Sequence, residues 1–335
     1  MLRRIFLFWL FAVFAAAAAA QQQVAVFSQT VPLDPRDPAK RDVGELEYRG
    51  GIALRSTDAR FGGFSALHVS ADGATLLAVS DRGAWLRLAL SYDRAGRLAG
   101  ATRAEMGALI GEDGRPLTGS DGDAEALAVL ADGSMLVAFE RRHRILHYPE
   151  VVPPFSKPPV PFPIPEGLDA APPNAGLETL AHVGRGFLVA IAERMTSGGG
   201  ALAAWVGRGG VWEPFGYVRK PGMRVSDAAL LPGGDLLVLE HRYSAQTGSV
   251  VRFVRLARNT IVPRRRVEGR ELALIEPPLT TENFEGVSIR RGEGRDALIY
   301  VISDDNFNPL QRTLLMMFAV KEEVLPAPPA PAPEQ

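Results

Sequence analysis

The residues best suited to chemistry in this chain are carboxylates that recur in pairs. An acid heads a short apolar segment in Ala124-Glu125-Ala126-Leu127, Leu177-Glu178-Thr179-Leu180, Ser226-Asp227-Ala228-Ala229 and Phe284-Glu285-Gly286-Val287, and Phe64-Ser65-Ala66-Leu67 has the same form with Ser in the acid's place. A second, more apolar segment follows each and ends in another acid: Ser80-Asp81-Arg82, Phe139-Glu140-Arg141, Ala192-Glu193-Arg194, Leu239-Glu240-His241 and Ser303-Asp304-Asp305. If the chain gathers Glu125, Glu178, Asp227 and Glu285 with Asp81, Glu140, Glu193, Glu240 and Asp304, the acids repel and their pKa values rise unless a cation intervenes. Calcium (Ca2+) suits such a set, because it takes roughly six to eight oxygen ligands in flexible geometry. Asn174, Asn283 and Asn306 could add amide oxygens.

A cation held there would activate water against an ester, lactone or phosphoester. Arg82, Arg141 and Arg194, each beside a second acid, are the candidate clamps for a phosphate, since the planar guanidinium binds it bidentately where Lys does not. His241, beside Glu240, is the candidate general base. The same arginines leave a second reading open, in which they neutralise the acids through ion pairs and the ring is structural.

These residues need elements that bring them together. The paired segments read as hairpins: Asp72-Gly73, Asp132-Gly133 and Gly233-Gly234 supply the positive φ of tight turns. The copies recur about every 50 to 60 residues, and further alternating segments at 85–92, 201–206 and 250–256 could form outer strands. The chain therefore reads as an all-β protein, a β-propeller of five blades by repeat count, with a sixth, degenerate blade left open. The segment 45–54 has no blade of its own and is expected to complete the last one beside 313–320, closing the ring without an open edge. Inner strands line a propeller's channel, so equivalent positions point to one mouth.

The expected organisation is a leader at 1–20, an extension at 21–43 and one propeller domain at 44–320. A Pro/Ala-rich disordered tail occupies 321–335. The leader has Arg3 and Arg4, an apolar run and then small residues, the order of a cleaved signal peptide, so a periplasmic or secreted location is expected. That run is short for a membrane span, so no stable membrane insertion follows cleavage. The segment 149–173 holds ten prolines and is expected to be a stiff strap over a rim, with a lid as the alternative.

Composition excludes several classes. There is no Cys, which removes disulfides, thiolate zinc sites, Fe–S clusters and cysteine nucleophiles. A formal net charge of -1 without a block of basic residues argues against nucleic acid as a partner. No Gly-x-Ser-x-Gly elbow is present, and His143 and His147 are spaced by four on a strand pattern rather than on a helix.

The ordered runs Arg60-Phe61-Gly62-Gly63-Phe64-Ser65, Val79-Ser80-Asp81-Arg82-Gly83, Asp123-Ala124-Glu125-Ala126-Leu127, Asn174-Ala175-Gly176-Leu177-Glu178, Asn283-Phe284-Glu285-Gly286 and Ser303-Asp304-Asp305-Asn306-Phe307-Asn308 resemble the phytase-like propeller family, labelled as having esterase-like activity of phytase. The resemblance runs from about residue 44 to 320. It implies a calcium-dependent hydrolase by analogy with bacterial alkaline phytases, which are six-bladed. The expected function is an exported monomer hydrolysing a small-molecule ester or phosphoester at an acidic channel mouth. The alternatives are a non-enzymatic propeller that binds a ligand or protein, and a lactonase-like hydrolase, since Glu285-Gly286 opens a strand as in lactonase propellers.

Overall fold

The computed structural model describes residues 21–293, 296–320 and Val324. Alternation of apolar and polar residues, broken by Gly-containing turns, resolves into five sheets arranged as a five-bladed propeller, antiparallel except where Arg266–Glu268 joins the third sheet parallel to Val211–Val218. The inner and second strands are Phe64–Val69 with Thr75–Ser80, Ala124–Val129 with Met135–Phe139, Leu177–His182 with Phe187–Gly198, Arg224–Leu230 with Leu236–Ser244, and Phe284–Arg291 with Ala297–Ser303. Gly73, Gly133 and Gly234 take φ of 76°, 81° and 99° in the connecting turns, a region that favours glycine.

Second strands sit between neighbouring sheets and are apolar on both faces, so Met135–Phe139 is buried at every position. Five separate hydrophobic clusters result, one between each pair of adjacent blades. The cluster shared by the fifth and first blades, which includes Leu67, Leu76, Tyr300 and Ile302, is the one that closes the ring. Closure is also made by hydrogen bonds. Leu46–Ser56 pairs antiparallel with Thr313–Val320, from Leu54 opposite Thr313 to Leu46 opposite Val320, so the early strand completes the last blade as expected.

The proline-rich segment forms part of the second blade. Val160–Phe162 is that blade's outermost strand, pairing with Arg144–Tyr148, and the edge position tolerates Pro161. Phe155 is 1% exposed and packs edge-on to Tyr148, while Trp212 Nε1 donates to the Pro163 carbonyl at 2.9 Å. The segment is therefore fastened at its middle to the second blade and beyond it to the third. Before the first blade, Gln22–Val24 and Val26–Thr30 extend the first and fifth sheets at their outer edges. The leader expected at 1–20, and the tail expected at 321–335 apart from Val324, lie outside the described residues. Among the described residues no helix is long and apolar enough to cross a membrane.

Candidate functional site at the channel mouth

Each inner strand carries a β-bulge near its start. Phe64 pairs with Ser80 and Ala66 with Val79, which leaves Ser65 without a partner. The same skip leaves out Glu125 between Ala124 and Ala126, Glu178 between Leu177 and Thr179, Ser226 between Val225 and Asp227, and Glu285 between Phe284 and Gly286. A bulge re-aims the extra side chain, and the five skipped residues are therefore the structural equivalents. The residue opposite the strand start on the second strand is Asp81, Glu140, Glu193, His241 or Asp304: the N–H groups of the four acids donate to Gly63, Asp123, Gly176 and Asn283, and His241 pairs with Arg224.

This corrects the fourth repeat. Asp227 and Glu240 are each one residue out of register with the other blades, and the equivalent pair is Ser226 and His241. Asp227 is buried and accepts the N–H groups of Ala228 at 2.8 Å and Val287 at 2.9 Å, which ties the fourth inner strand to the fifth. Glu240 is fully buried, accepting the Tyr217 hydroxyl at 2.6 Å and Arg252 at 2.9 Å. Both acids have their oxygens filled by protein donors away from the cluster.

Of the other expected acids, Glu125, Glu140, Glu178 and Glu193 converge, together with Asp123, while Asp81, Glu285 and Asp304 belong to neither group of converging oxygens. Asp123, Glu125 and Glu140 place one oxygen each within 4.8 Å of one another, and Glu140, Glu178 and Glu193 do the same, with Glu140 common to both groups. Protein donors satisfy part of this set. Glu140 Oε1 accepts the Gly176 N–H at 2.6 Å, Arg141 pairs with Asp123 at 2.8 Å, and Glu193 pairs with Arg194 at 2.8 Å and Arg224 at 3.2 Å. Asn283 donates its amide to Glu285 at 2.6 Å. Glu125 and Glu178 accept nothing from any described residue.

The electrostatics follow from this crowding. Burial pushes the Glu125, Glu178 and Glu285 carboxyls well above the usual range, and repulsion from neighbouring acids, Glu285 on Glu125 and Asp304 on Glu285 among them, adds to it. Burial also lifts Asp81 to about 6, helped by Asp123, and lifts Glu140 and Asp304 to about 7 against the backbone N–H groups of Gly176 and Asn306. Without a counter-ion these acids keep their protons to higher pH than ordinary carboxylates, and a cation would displace them.

Of the other residues expected here, Arg82 stacks over the Phe307 ring, 3.4 Å from its centroid, and makes no ion pair among the described residues. Arg141 and Arg194 are engaged with Asp123 and Glu193. His241 lines a cavity of about 440 Å3 with Glu178, Glu193, Arg224, Glu285 and Asn306, and its Nδ1 lies 2.7 Å from Ser226 Oγ. Asn174 is exposed on the segment leading into the third blade. The sequence reading passed over Asp123, Arg224 and Ser226. Asp123 stands two residues before Glu125, a spacing that could have flagged it; for Ser226 the apolar Val225 before it matches Phe64, Ala124, Leu177 and Phe284.

The arrangement is an oxygen-only donor set open to a channel, bordered by guanidinium groups. No curated protein sequence matches the chain. Among solved structures, one provisionally assigned as a gluconolactonase is 14% identical with a TM-score of 0.43, over 91% of this chain and 95% of its own. An inactive virginiamycin B lyase from Staphylococcus aureus bound to quinupristin is 11% identical with a TM-score of 0.41, over 87% and 99%. A protein of unknown function from Bacteroides caccae is 14% identical with a TM-score of 0.39, over 76% and 79%. The sequence model of the phytase-like family, described as esterase-like activity of phytase, matches residues 59–307, the stretch that carries all five inner hairpins up to the Asp304 loop, and the chain belongs to that family.

Proposed function

We propose that this protein is an exported, cation-dependent hydrolase of a small ester or phosphoester, working at the acidic mouth, with calcium as the cation. One observation carries the reading: Glu125 and Glu178 aim carboxylates into two overlapping acidic groups and accept no hydrogen bond or ion pair from any described residue. Carboxylates crowded in this way need positive charge, and the arginines reach only Asp123 and Glu193 by ion pairs. The donor set fits a hard cation of flexible coordination, because every group in it offers oxygen.

Asp123, Glu125, Glu140, Glu178 and Glu193 would hold the ion. When bound, it would polarise the substrate oxygen and acidify water. The protein's own contributions are positional. Gly176 N–H and Asn283 fix the Glu140 and Glu285 carboxylates, Arg141 and Arg194 hold Asp123 and Glu193 in place, and Arg82, free of ion pairs, is left to meet an anionic substrate group. Family membership supports the reaction class, and the leader pattern at the N-terminus supports a periplasmic or secreted location.

Calcium titration followed by thermal unfolding tests the reading. A site-bound ion raises the melting temperature by mass action, and Glu125→Gln or Glu178→Gln abolishes the rise. A panel of esters, lactones and phosphoesters with and without chelator then identifies the reaction; no response to any divalent cation would sink the proposal. The ion pairs of Asp123 and Glu193 favour a second reading, a binding propeller whose mouth is neutralised by arginine, and that reading would then stand.

A further inference from the structure

The fourth blade puts Ser226 and His241 where the second and third blades put pairs of acids, and this changes what that side of the mouth can do. Ser226 is 2% exposed, and His241 Nδ1, at 2.7 Å, is its hydroxyl's one partner among the described residues. A buried hydroxyl whose hydrogen finds no acceptor is costly, so the hydroxyl donates and Nδ1 accepts. The ring proton then resides on Nε2. That nitrogen has no partner among the described residues and is not sealed in, and the ring lines the cavity that also holds Glu178, Glu193 and Glu285. Arg242 lines the same cavity, its side chain making no ion pair or hydrogen bond among the described residues, and Arg224 reaches in while paired with Glu193.

We propose that the fourth blade is the hydrogen-bond-donating wall of the mouth: His241, set by Ser226, presents Nε2–H to a carbonyl or phosphoryl oxygen of the ligand, beside the guanidinium of Arg242. Glu178, Glu193 and Glu285 of the same cavity accept once ionised, so a cation and an oxyanion would be held by different groups of one mouth. The proton stays on Nε2; the hydrogen bond strengthens as negative charge develops on the ligand oxygen. Burial, with Arg224 adding to it, pulls the His241 pKa down to about 4, which agrees with a neutral ring at neutral pH. This replaces the general-base role that sequence suggests for His241, since neither nitrogen is left to take a proton from the cavity. The ligand class rests on the hydrolase reading above; the tautomer does not.

The test uses the full chain labelled with 15N-histidine at pH 7, with His241→Gln assigning the ring. Long-range 1H–15N correlations should show an unprotonated Nδ1 and a protonated Nε2. Ser226→Ala should collapse that pattern into mixed tautomers and Ser226→Thr should restore it, while inorganic phosphate should shift the Nε2–H signal. A proton on Nδ1, or a pattern untouched by Ser226→Ala, overturns the proposal. With any ester or phosphoester turned over, His241→Ala should lower kcat by about 10²–10³-fold, leave the calcium-induced rise in Tm intact, and be partly rescued by His241→Gln; an unchanged kcat also overturns it. If no substrate is turned over, the hydrolase reading falls, and the tautomer and the phosphate shift still decide the donor wall.

Discussion

The second and fourth blades share one pattern, a hairpin whose inner strand is bulged by a single residue, yet they use acids in opposite ways. In the second blade the bulged residue is Glu125, the strand-end residue is Glu140, and both join a cluster in which Glu125 has no protein donor. In the fourth blade the bulge is Ser226, the strand end is His241, and the nearby acids Asp227 and Glu240 are consumed by backbone N–H groups, a Tyr hydroxyl and an Arg. The same residue type at nearly the same place is a candidate ligand in one blade and a rivet in the other. Partners within hydrogen-bond distance decide which: Asp227 and Glu240 spend both oxygens on donors away from the mouth, whereas Glu125 has no protein donor among the described residues.

Substitutions that remove single acids should therefore have opposite signs in the two blades. Glu240→Ala leaves Arg252 beside a buried, vacated site and should destabilise by about 3–5 kcal/mol in urea unfolding; a loss below about 1 kcal/mol would make Glu240 dispensable and undo the contrast. Glu125→Gln should be neutral or stabilising without cations, since it removes repulsion, and should erase a calcium stabilisation of about 2.7 kcal/mol at a hundredfold excess over Kd. Retention of the full calcium effect would remove Glu125 from the site. Asp227→Ala orphans the buried N–H groups of Ala228 and Val287 and should lower stability by about 1–3 kcal/mol, with no change in calcium response.

The pH dependence separates the blades in another way. Asp81, Glu140 and Asp304 have pKa values raised to about 6, 7 and 7 in the folded state. Their protonated forms suit the fold, so in chelator stability should be greatest below about pH 4 as far as these groups decide it, and should be lost as pH rises through 6 to 7. Calcium should flatten that decline, and Glu140→Gln should reduce it. A melting temperature that rises over pH 5 to 7 in chelator would contradict the crowding of these acids. The smallest effect expected is that of Arg82→Ala, whose exposed stacking on Phe307 is worth about 0.5–1 kcal/mol, visible as a small shift of the urea midpoint.

Much of the fold was legible because its determinants are local. Asp72-Gly73, Asp132-Gly133 and Gly233-Gly234 announce hairpins through backbone conformation alone, and the unpaired strand at 45–54 has the pattern of a missing outer strand. The strap was legible only as proline-rich; that its middle serves as the second blade's edge strand depends on a neighbour to pair with. At the site, Glu125, Glu140, Glu178 and Glu193 were found by repetition. The fourth blade was misread by one residue because the eye aligns acids, whereas the strand aligns on apolar residues: Val225 and Leu239 mark the register, and they place Ser226 and His241 at the mouth.

The number of hairpins, the turns between them and the absence of thiol ligands are already written in the residues, since each follows from residue identity and short-range conformation. Which carboxylates share a space, which are sealed by Arg252, Tyr217 or a neighbouring strand's N–H, and what the ring nitrogens of His241 meet follow from the folded arrangement. Those outcomes depend on the bulge register and on groups brought within about 3 Å from distant parts of the chain, and pairing across blades sets both.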